Sequence, residues 1–307
     1  MSNYIKPILI IVGPTGIGKS DFSISIAKDI NAEIINADSR LVYKHFNIGT
    51  AKPNTTQLKT VKHHLIDILE PEENFNISQF LDLVKEKTEE ILLRQKIPII
   101  VGGSGQYIKA ILDDWTISKV PPNTALRQEL EEKIKLNGAE FAYKLLQEIA
   151  PIRAKQIDPS NHRRIIRAIE ISEAGQSNST PFPLFKSYSK ITIGLTLDRK
   201  TLYSRIDNRV DKMIEAGWID EIKYLIKNKI QDDQSAMSSV GYKELYEYLT
   251  EDKESLEDVI QKIKFKTHKL VRTQYNWFKL SDKKIKWFES TQNGLLQAKN
   301  FVISQIN

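Results

Sequence analysis

The chain opens with an apolar segment, a glycine-rich turn and a lysine, and this combination constrains the fold more than any other feature. Ile8–Val12 is an unbroken apolar run, and the turn after it reads Gly13-Pro14-Thr15-Gly16-Ile17-Gly18-Lys19-Ser20. A helical pattern follows over Asp21–Asp29. Strand, turn and helix in this order are typical of a P-loop, in which backbone N–H groups bind phosphate oxygens. The pattern predicts that Lys19 adds a charge to the phosphate site and that Ser20 is a ligand of Mg²⁺.

The composition narrows the class of protein. The 307 residues are 40% apolar and 27% charged, which is typical of a globular protein with one large domain and a smaller one. The net charge of +6 points mildly to a polyanionic partner. Because the chain has no cysteine, disulfides, thiolate metal sites and cysteine nucleophiles are excluded. No apolar stretch approaches the length of a membrane span, and we expect a cytoplasmic protein that does not bind membranes.

Apolar segments alternate with helical patterns in the first third of the chain. After the P-loop helix come the apolar segments Glu33–Asn36, His64–Leu69 and Ile97–Val101, and a helical pattern covers Ile77–Arg94. A further apolar segment, Ile191–Leu197, follows later in the chain. The pattern predicts an α/β fold, namely a P-loop NTPase-like parallel sheet with helices on both faces.

The pattern changes between residues 120 and 186, where it becomes helical and charged. We therefore predict an inserted all-helical subdomain over 120–186, and a P-loop catalytic core domain formed by 1–119 and 187–307. The end of this subdomain, Gly175–Lys186, is rich in Ser, Asn and Pro, which is typical of a loop. Helices are predicted from Lys200 to the end of the chain, with turns near Asn228–Ser235.

Polar residues follow two of the predicted strands at the edge of the sheet where ligands bind. Asp38 follows the segment 33–36, and Gly102-Gly103-Ser104-Gly105 follows the segment 97–101. Because the carboxyl ends of parallel strands meet at one edge, we expect the P-loop, Asp38 and Ser104 to lie close together. Two chemical roles are open to Asp38: it can hold Mg²⁺ through water, or it can accept a proton from a nucleophile. The structural alternative is a helix N-cap or turn aspartate.

Two stretches concentrate basic residues. Arg163 and Arg167 have the i,i+4 spacing of one helix face, which is consistent either with a solvated basic face or with contacts to phosphates or bases. The segment Lys262–Lys286 has nine basic residues and one acid, with aromatic residues between them. Cations neutralise nucleic-acid phosphates, and aromatic rings stack on unpaired bases. For Trp277 and Phe278 we favour instead the core of an amphipathic helix.

Taken in order, these motifs resemble those of the tRNA dimethylallyltransferases, the isopentenyl-tRNA transferase family, in its bacterial form. The resemblance extends over nearly the whole chain. Its most specific segment is Ile48-Gly49-Thr50-Ala51-Lys52-Pro53, and the zinc finger of some eukaryotic relatives is absent. The other matching segments are 13–20, 38–44, 63–67, 102–107, Arg164 with 167–170, 240–243 and 274–278.

The resemblance implies an activity and a set of catalytic residues. The activity is transfer of the dimethylallyl group from its diphosphate to N6 of the adenosine 3′ of the anticodon in tRNA, with Mg²⁺ as cofactor. The P-loop, residues 13–20, then binds the diphosphate as the leaving group, and Asp38 accepts the N6 proton. Lys19, Ser104 and Arg205 complete the implied catalytic set; Arg205 is preferred to Arg209 by family analogy.

The resemblance also implies tRNA contacts in both predicted domains. The contacts in the core domain are Asp38, Ser39, Arg40, Leu41 and Ser104. The contacts in the helical subdomain, which would bind the anticodon stem, are Arg127, His162, Arg163, Arg164, Ile165 and Ile166. The implied partners are therefore the tRNA anticodon stem-loop and dimethylallyl diphosphate, bound by a monomer.

Three residues depart from the family pattern, and other protein classes share a P-loop. Ser104 stands where the family usually has threonine, and His268 and Thr273 stand where it often has basic residues. An isopentenyltransferase of free adenine nucleotides would not need the helical subdomain. A P-loop small-molecule kinase usually has an acidic Mg²⁺ ligand after a second core strand, where this chain has glycines. A non-enzymatic RNA-binding protein would not need Lys19, Ser20 and Asp38 around one pocket.

Overall fold

The computed structural model describes residues 7–175, 185–230, 234–251 and 254–306, and the chain divides into two compact units. The core unit comprises Met1–Trp115 and Leu184–Asn307, and the helical unit comprises Thr116–Pro183. The helical unit thus begins at 116 and ends at 183, where the sequence pattern suggested 120 and 186. No helix in the described ranges is both long enough and apolar enough to cross a bilayer.

The core unit is built on a parallel sheet. In chain order, its strands are β1 (Pro7–Val12), β2 (Ala32–Asn36), β3 (His63–His64), β4 (Ile97–Val101), β5 (Ser189–Thr196) and β6 (Lys286–Glu289). Their order in the sheet is β3-β2-β4-β1-β5-β6, and every neighbouring pair is parallel. The P-loop strand β1 therefore lies between β4 and β5, away from both edges of the sheet.

Helices cover both faces of this sheet. Alternate residues of β1 point to opposite faces, and Leu9 and Ile11 pack in one apolar cluster with Phe22 and Val302, which lie on different helices. Ile8, on the other face, is equally buried. The α/β architecture predicted from the sequence is therefore confirmed. The helices of the described residues are α1 (Lys19–Asp29), α2 (Thr55–Thr60), α3 (Ile77–Leu93), α4 (Gly105–Leu112), α5 (Thr124–Asn137), α6 (Ala139–Ile149), α7 (Pro151–Ala154), α8 (His162–Glu173), α9 (Arg199–Glu215), α10 (Trp218–Lys227), α11 (Tyr242–Glu251), α12 (Leu256–Trp277) and α13 (Gln292–Ile306), with a 3₁₀ turn at Ser235–Ser238.

Two strands differ from the sequence predictions. The predicted strand His64–Leu69 is reduced to the two residues of β3, because Leu65 and Asp67 have φ values of 60° and 54°, which end the extended chain. Strand β6 was predicted as part of a helical region, but it pairs with β5 and forms an edge of the sheet. Residues 176–184, in the predicted loop Gly175–Lys186, and 231–233, in the predicted turns, lie outside the described residues.

The helical unit is held together by an apolar cluster and a buried carboxylate. Leu130, Leu146 and Ile169, from α5, α6 and α8, are nearly or fully buried in the cluster. Glu170 is only 3% exposed, and its Oε1 accepts a bond of 2.7 Å from Arg127 Nε while its Oε2 accepts one of 3.1 Å from Arg167 Nη1. A buried carboxylate is stable only when charged donors satisfy it. Arg127 therefore joins α5 to α8, and Arg167 adds a second charged donor from α8 itself.

Candidate active site

The P-loop opens onto a two-part cavity that lies wholly within the core unit. The first part, which we call the phosphate chamber, has a volume of about 330 Å³ and is lined by Gly16, Gly18, Lys19 and Ser20. The second part, which we call the channel, has a volume of about 280 Å³. The residues that line both parts are Thr15, Asp38, Thr50, Gly103 and Arg209.

The P-loop presents the start of α1 to the phosphate chamber. Gly18 has a φ of 97°, in the left-handed region that favours glycine, and α1 begins at the next residue. The first N–H groups of a helix have no partner within the helix, so they are free to bind an anion. Ser20 is the second residue of α1 and is exposed. The ammonium of Lys19 donates to the carbonyl of Pro14 at 2.8 Å, which closes the loop on its own lysine.

The cations of the chamber have perturbed pKa values. Burial lowers the pKa of the Lys19 ammonium to about 8; the negative charge of Asp38 opposes this shift, and the positive charge of Arg209 adds to it. Burial also lowers the pKa of the Arg209 guanidinium, which interacts with Asp38 and Asp21. A polyanion in the chamber would stabilise the charged form of both groups.

We expect the affinity for a diphosphate ligand to fall above pH 8, because the free protein then loses the proton of Lys19. The direction of the effect follows from the lowered pKa, because the ammonium is charged below pH 8 and loses its proton above it. Well above pH 8, the affinity for diphosphate is expected to fall about tenfold per pH unit. Titration with inorganic diphosphate between pH 7 and 9.5 measures the effect. The control is Lys19→Arg, whose side chain stays charged in this range. Equal pH dependence in both proteins would contradict the role of Lys19, since the ionisation of diphosphate itself affects both equally.

Asp38 lies at the boundary between the chamber and the channel, in a turn that is fixed by hydrogen bonds. The buried Asn36 donates from Nδ2 to the carbonyls of Asp38 and Leu65, each at 2.9 Å, and its Oδ1 accepts from the N–H of Asp38 at 2.9 Å. Oδ1 of Asp38 accepts from the N–H of Arg40 at 2.9 Å. Asp38 is therefore a turn aspartate, and its carboxylate is also held in a set orientation beside the cavity.

Ser104 is joined to the same turn. Its Oγ accepts a bond of 3.0 Å from the N–H of Ser39. The two chain segments approach so closely that a Cβ on Gly102 would lie 2.2 Å from the carbonyl oxygen of Ala37. Glycine is thus required where β4 ends, and the structure brings the P-loop, Asp38 and Ser104 together at one edge of the sheet.

Arg209, rather than the Arg205 preferred by family analogy, lines the phosphate chamber. Arg209 lines both parts of the cavity and interacts with Lys19 and Asp38. Arg205 is exposed, lines two neighbouring surface clefts and donates to the carbonyl of Ser290 at 3.4 Å. Four residues of helix advance the chain by about 6 Å along the axis. Arg205 and Arg209 share one face of α9 but therefore reach different parts of the core unit. Their spacing in the sequence could not show which of them reaches the phosphate chamber.

The remaining residues predicted in the core unit line the cavity. Ser39 and Arg40 line the channel, and Leu41 lines the phosphate chamber. The guanidinium of Arg40 also donates to the carbonyl of Ser235. Thr273 lines the channel as well, so this departure from the family pattern removes a basic side chain from its wall.

The residues predicted to contact RNA in the helical unit fall into two groups. Arg163 and Arg164 are exposed at the start of α8, where Asn161 caps the helix, and His162 is half-buried beside them. The other group is structural. Ile165 and Ile166 are 0% and 5% exposed, so their side chains offer almost no surface to RNA. Arg127 belongs to this second group through its bonds to Glu170.

The basic segment Lys262–Lys286 carries less free charge than its composition suggests. Lysines of α12 and the turn after it form ion pairs with acids elsewhere in the core unit, and His268 stacks on Tyr203 with ring centroids 4.0 Å apart. Phe278 is fully buried, which confirms the prediction of a core residue, and Trp277 is half-buried against the channel. The paired lysines are Lys262 with Glu254, Lys264 with Asp211, Lys266 with Glu244 and Lys284 with Asp113.

Asn36 and Gln274 are two residues of the site that no sequence pattern indicates as functional. Both are buried amides that hold the loops of the cavity through hydrogen bonds. Amides do not titrate, so charge patterns gave no signal for them. Gln274 does lie in one of the segments that match the family, and this was the available clue.

Comparisons with known proteins agree with this geometry. Residues 41–281 match the family model described as IPP transferase. A tRNA dimethylallyltransferase of Bacillus subtilis is 39% identical over 295 residues, which cover 95% of this chain and 93% of that protein. The tRNA isopentenylpyrophosphate transferase of Bacillus halodurans superposes with a TM-score of 0.73 at 35% identity, covering 98% of this chain and 97% of that one. A eukaryotic dimethylallyltransferase acting on tRNA gives a TM-score of 0.79 at 27% identity, covering 98% of this chain and 80% of that one.

Proposed function

The chain belongs to the IPP transferase family, which includes the tRNA dimethylallyltransferases, and from that premise we propose the reaction of its two-part cavity. The enzyme is a prenyltransferase that transfers the dimethylallyl group of dimethylallyl diphosphate to N6 of the adenosine 3′ of the anticodon in tRNA. Diphosphate is released. The observation that carries this proposal is the position of Asp38, between a P-loop chamber suited to diphosphate and a channel with an apolar wall.

The donor fits the cavity in two pieces. Its diphosphate suits the phosphate chamber, where Lys19 and Arg209 neutralise negative charge as the allylic C–O bond breaks. Its five-carbon tail suits the channel wall formed by Ile206, Val210 and Met213, one face of α9. Burying each CH₂ contributes about 0.8 kcal/mol, so the tail adds a few kcal/mol and the diphosphate supplies most of the affinity.

Mg²⁺ fits the donor set of the phosphate chamber. Ser20, Asp21 and Asp38 offer hard oxygen atoms there, the ligands that Mg²⁺ prefers. The described residues hold no group of three or more His, Cys, Asp and Glu side chains that could bind a metal. The ion would then take most of its ligands from the diphosphate and water, which is usual for Mg²⁺. Held by Ser20, the ion would neutralise charge on the leaving group.

Asp38 completes the chemistry on the acceptor side. The N6 amine attacks the allylic carbon, a C–N bond forms, the C–O bond to diphosphate breaks, and one N6 proton passes to the carboxylate of Asp38. An exocyclic adenine amine is a weak nucleophile, so a base within hydrogen-bond reach is needed as the new bond forms. The bonds from Asn36 and Arg40 support this role, because they orient the carboxylate before the substrates bind.

The acceptor is tRNA, and its target base must leave the anticodon loop to enter the channel. Extruding a stacked base costs a few kcal/mol, which contacts elsewhere on the RNA must offset. Ser39, Arg40 and Ser104 provide candidate contacts in the core unit, and Arg163 and Arg164 provide them in the helical unit. Since one core unit supplies the whole cavity, we propose that the enzyme acts as a monomer, in the cytoplasm with its tRNA substrate.

The alternative activities are less consistent with the findings. Strand β4 ends at Val101 and is followed by Gly102 and Gly103 rather than by a carboxylate, whereas a P-loop kinase usually has a Mg²⁺ ligand at such a position. The relatives named above act on tRNA by name and match along most of their length, including the helical unit. This favours tRNA over a free adenine nucleotide as the acceptor.

A single assay separates these activities. The protein is incubated with Mg²⁺, labelled dimethylallyl diphosphate and an unmodified anticodon stem-loop, and the RNA is digested to nucleosides. We expect a labelled N6-dimethylallyl adenosine from the RNA and none from a parallel reaction with AMP. Labelled AMP without labelled RNA would favour the free-nucleotide enzyme, and phosphate transfer from ATP without prenylation would favour the kinase.

Replacing Arg164 by alanine is expected to weaken stem-loop binding and to lower the slope of log K against log salt by about 1, because one phosphate contact is lost. The matched variant is Arg127→Ala, which removes a partner of the buried Glu170 and is expected to cost the helical unit about 2 kcal/mol of stability. Filter binding at several salt concentrations and thermal unfolding separate the two effects. An unchanged salt slope in Arg164→Ala would remove this residue from the RNA contacts.

A further inference from the structure

The side chain of Gln274 joins the two loops that form the boundary between the phosphate chamber and the channel. Gln274 belongs to α12 and is 6% exposed. Its Oε1 accepts a bond of 2.9 Å from the N–H of Thr15 in the P-loop, and its Nε2 donates a bond of 3.1 Å to the carbonyl of Gly103. Thr15 and Gly103 both line the two parts of the cavity. One amide therefore connects the donor side of the site with the turn that leads to Ser104.

The contact continues through hydrogen bonds to the turn of Asp38. Gly103 is followed by Ser104, whose Oγ accepts from the N–H of Ser39 at 3.0 Å. Ser39 is the neighbour of Asp38 in the chain. A chain of covalent and hydrogen bonds thus runs from Thr15 through Gln274 to the carboxylate loop. The length of this chain of bonds sets the distance between the P-loop, which cradles the diphosphate, and the carboxylate of Asp38.

We propose that Gln274 is a positioning residue for the transfer reaction, whose amide fixes the distance between the P-loop and the Asp38–Ser104 side of the site. The inference rests on the proposed function. The reacting carbon is attached to the diphosphate, and the attacking nitrogen is held near Asp38, so this distance decides whether the two atoms meet. A displacement of about 1 Å in such a geometry costs up to about 100-fold in rate.

An amide suits the chemistry of this contact. Thr15 supplies a hydrogen-bond donor and Gly103 an acceptor, and the oxygen and nitrogen of the Gln274 amide satisfy both at once. A methionine of similar size would fill the space and leave both backbone groups without their partner. The fit is also tight, because a Cβ on Gly103 would lie 2.5 Å from Nε2 of Gln274.

Helix α12 links this contact to the acceptor side as well. Leu270, Thr273 and Trp277, on the same helix, line the channel. An adenosine seated in the channel therefore touches the helix that holds the amide of Thr15. Gln274 is thus placed to hold the P-loop at a fixed position relative to a bound adenosine.

The test perturbs the contact from both sides. Gln274→Met removes the two bonds, and Gly103→Ala pushes the amide away without changing it. We expect each variant to lower the single-turnover rate with stem-loop and donor roughly 10- to 100-fold, while the affinities for inorganic diphosphate and for the stem-loop change less than about threefold. Gln261→Met, an exposed position on the same helix, is the control and is expected to keep the wild-type rate.

A double substitution distinguishes positioning from a structural role. The side chain that a Cβ on Gly103 would strike is absent in Gln274→Ala, so adding Gly103→Ala to that variant is expected to cause little further loss. Independent losses in the double variant, or rates that stay at the wild-type level while the melting temperature falls, would overturn the proposal. If the unmodified protein itself fails to prenylate the stem-loop, the proposed function fails instead, so the two failures are distinguishable.

Discussion

Replacing Asp38 with asparagine is expected to lower turnover roughly 1,000-fold, the scale of a lost general base. Asparagine keeps an oxygen that can accept from the N–H of Arg40, so the turn is retained. It cannot accept a proton at neutral pH, and so the N6 proton has no acceptor as the C–N bond forms. Single-turnover rates with excess enzyme measure the chemical step, and stem-loop affinity is expected to stay close to that of the unmodified protein.

The control for this variant is Asp113→Asn. Asp113 also forms ion pairs in the core unit, with Lys109 and Lys284, but neither it nor these partners line the phosphate chamber or the channel. Its substitution should change the rate little. A rate for Asp38→Asn within tenfold of the wild type would show that Asp38 is not the proton acceptor, and the carboxylate would then be left with its role in the turn.

Replacing Arg209 with glutamine is expected to lower kcat/KM for the donor roughly 100- to 1,000-fold, the cost of losing one group that stabilises developing charge. Arg209 shares the chamber with Lys19, and the negative charges of Asp38 and Asp21 act on it. Lysine at this position should restore only part of the loss, because its point charge cannot make the two parallel bonds of a guanidinium to phosphate oxygens.

The same substitution one turn earlier provides the comparison. Arg205→Gln changes an exposed arginine outside the chamber and is expected to alter kcat/KM less than about threefold, in line with the modest worth of exposed charges. Parallel titrations with inorganic diphosphate should rank the two variants in the same order. A larger loss in Arg205→Gln than in Arg209→Gln would reverse the assignment made from the structure.

The sequence predicted those parts of the molecule that depend on short stretches of chain. The apolar run, the glycines and the lysine at 8–20 specify a strand, an anion-binding turn and a helix locally, and the structure has all three. The parallel sheet followed from buried strands without polar alternation. The meeting of Asp38 and Ser104 followed from the shared carboxyl edge, and it needed no knowledge of side-chain contacts.

The failures have physical causes that local patterns do not record. Strand β3 is short because Leu65 and Asp67 turn the chain, although their apolar neighbours resemble a strand. The choice between Arg205 and Arg209 depends on which of the two positions along α9 lies beside the phosphate chamber. Gln274 contacts Thr15, which lies 259 positions away in the sequence, so no short stretch of sequence contains both residues.

The basic segment near the carboxyl terminus shows why charge composition overstates binding surface. Lys264 is largely buried and pairs with Asp211, so its charge serves the packing of α12 on α9. Lys266 pairs in the same way with the buried Glu244. A count of cations along the chain contains no information about these partners, which lie 53 and 22 residues away.

The long reach of Gln274 has a consequence for how the protein is made. Translation produces the P-loop well before α12, so its Thr15 amide finds its side-chain partner only after a further 259 residues have been added. The strand β5, which flanks β1, is also synthesised late. A nascent chain that stops before α12 therefore carries the motif without the contact that fixes its position, and the P-loop and the Asp38 turn are aligned only once α12 has been added.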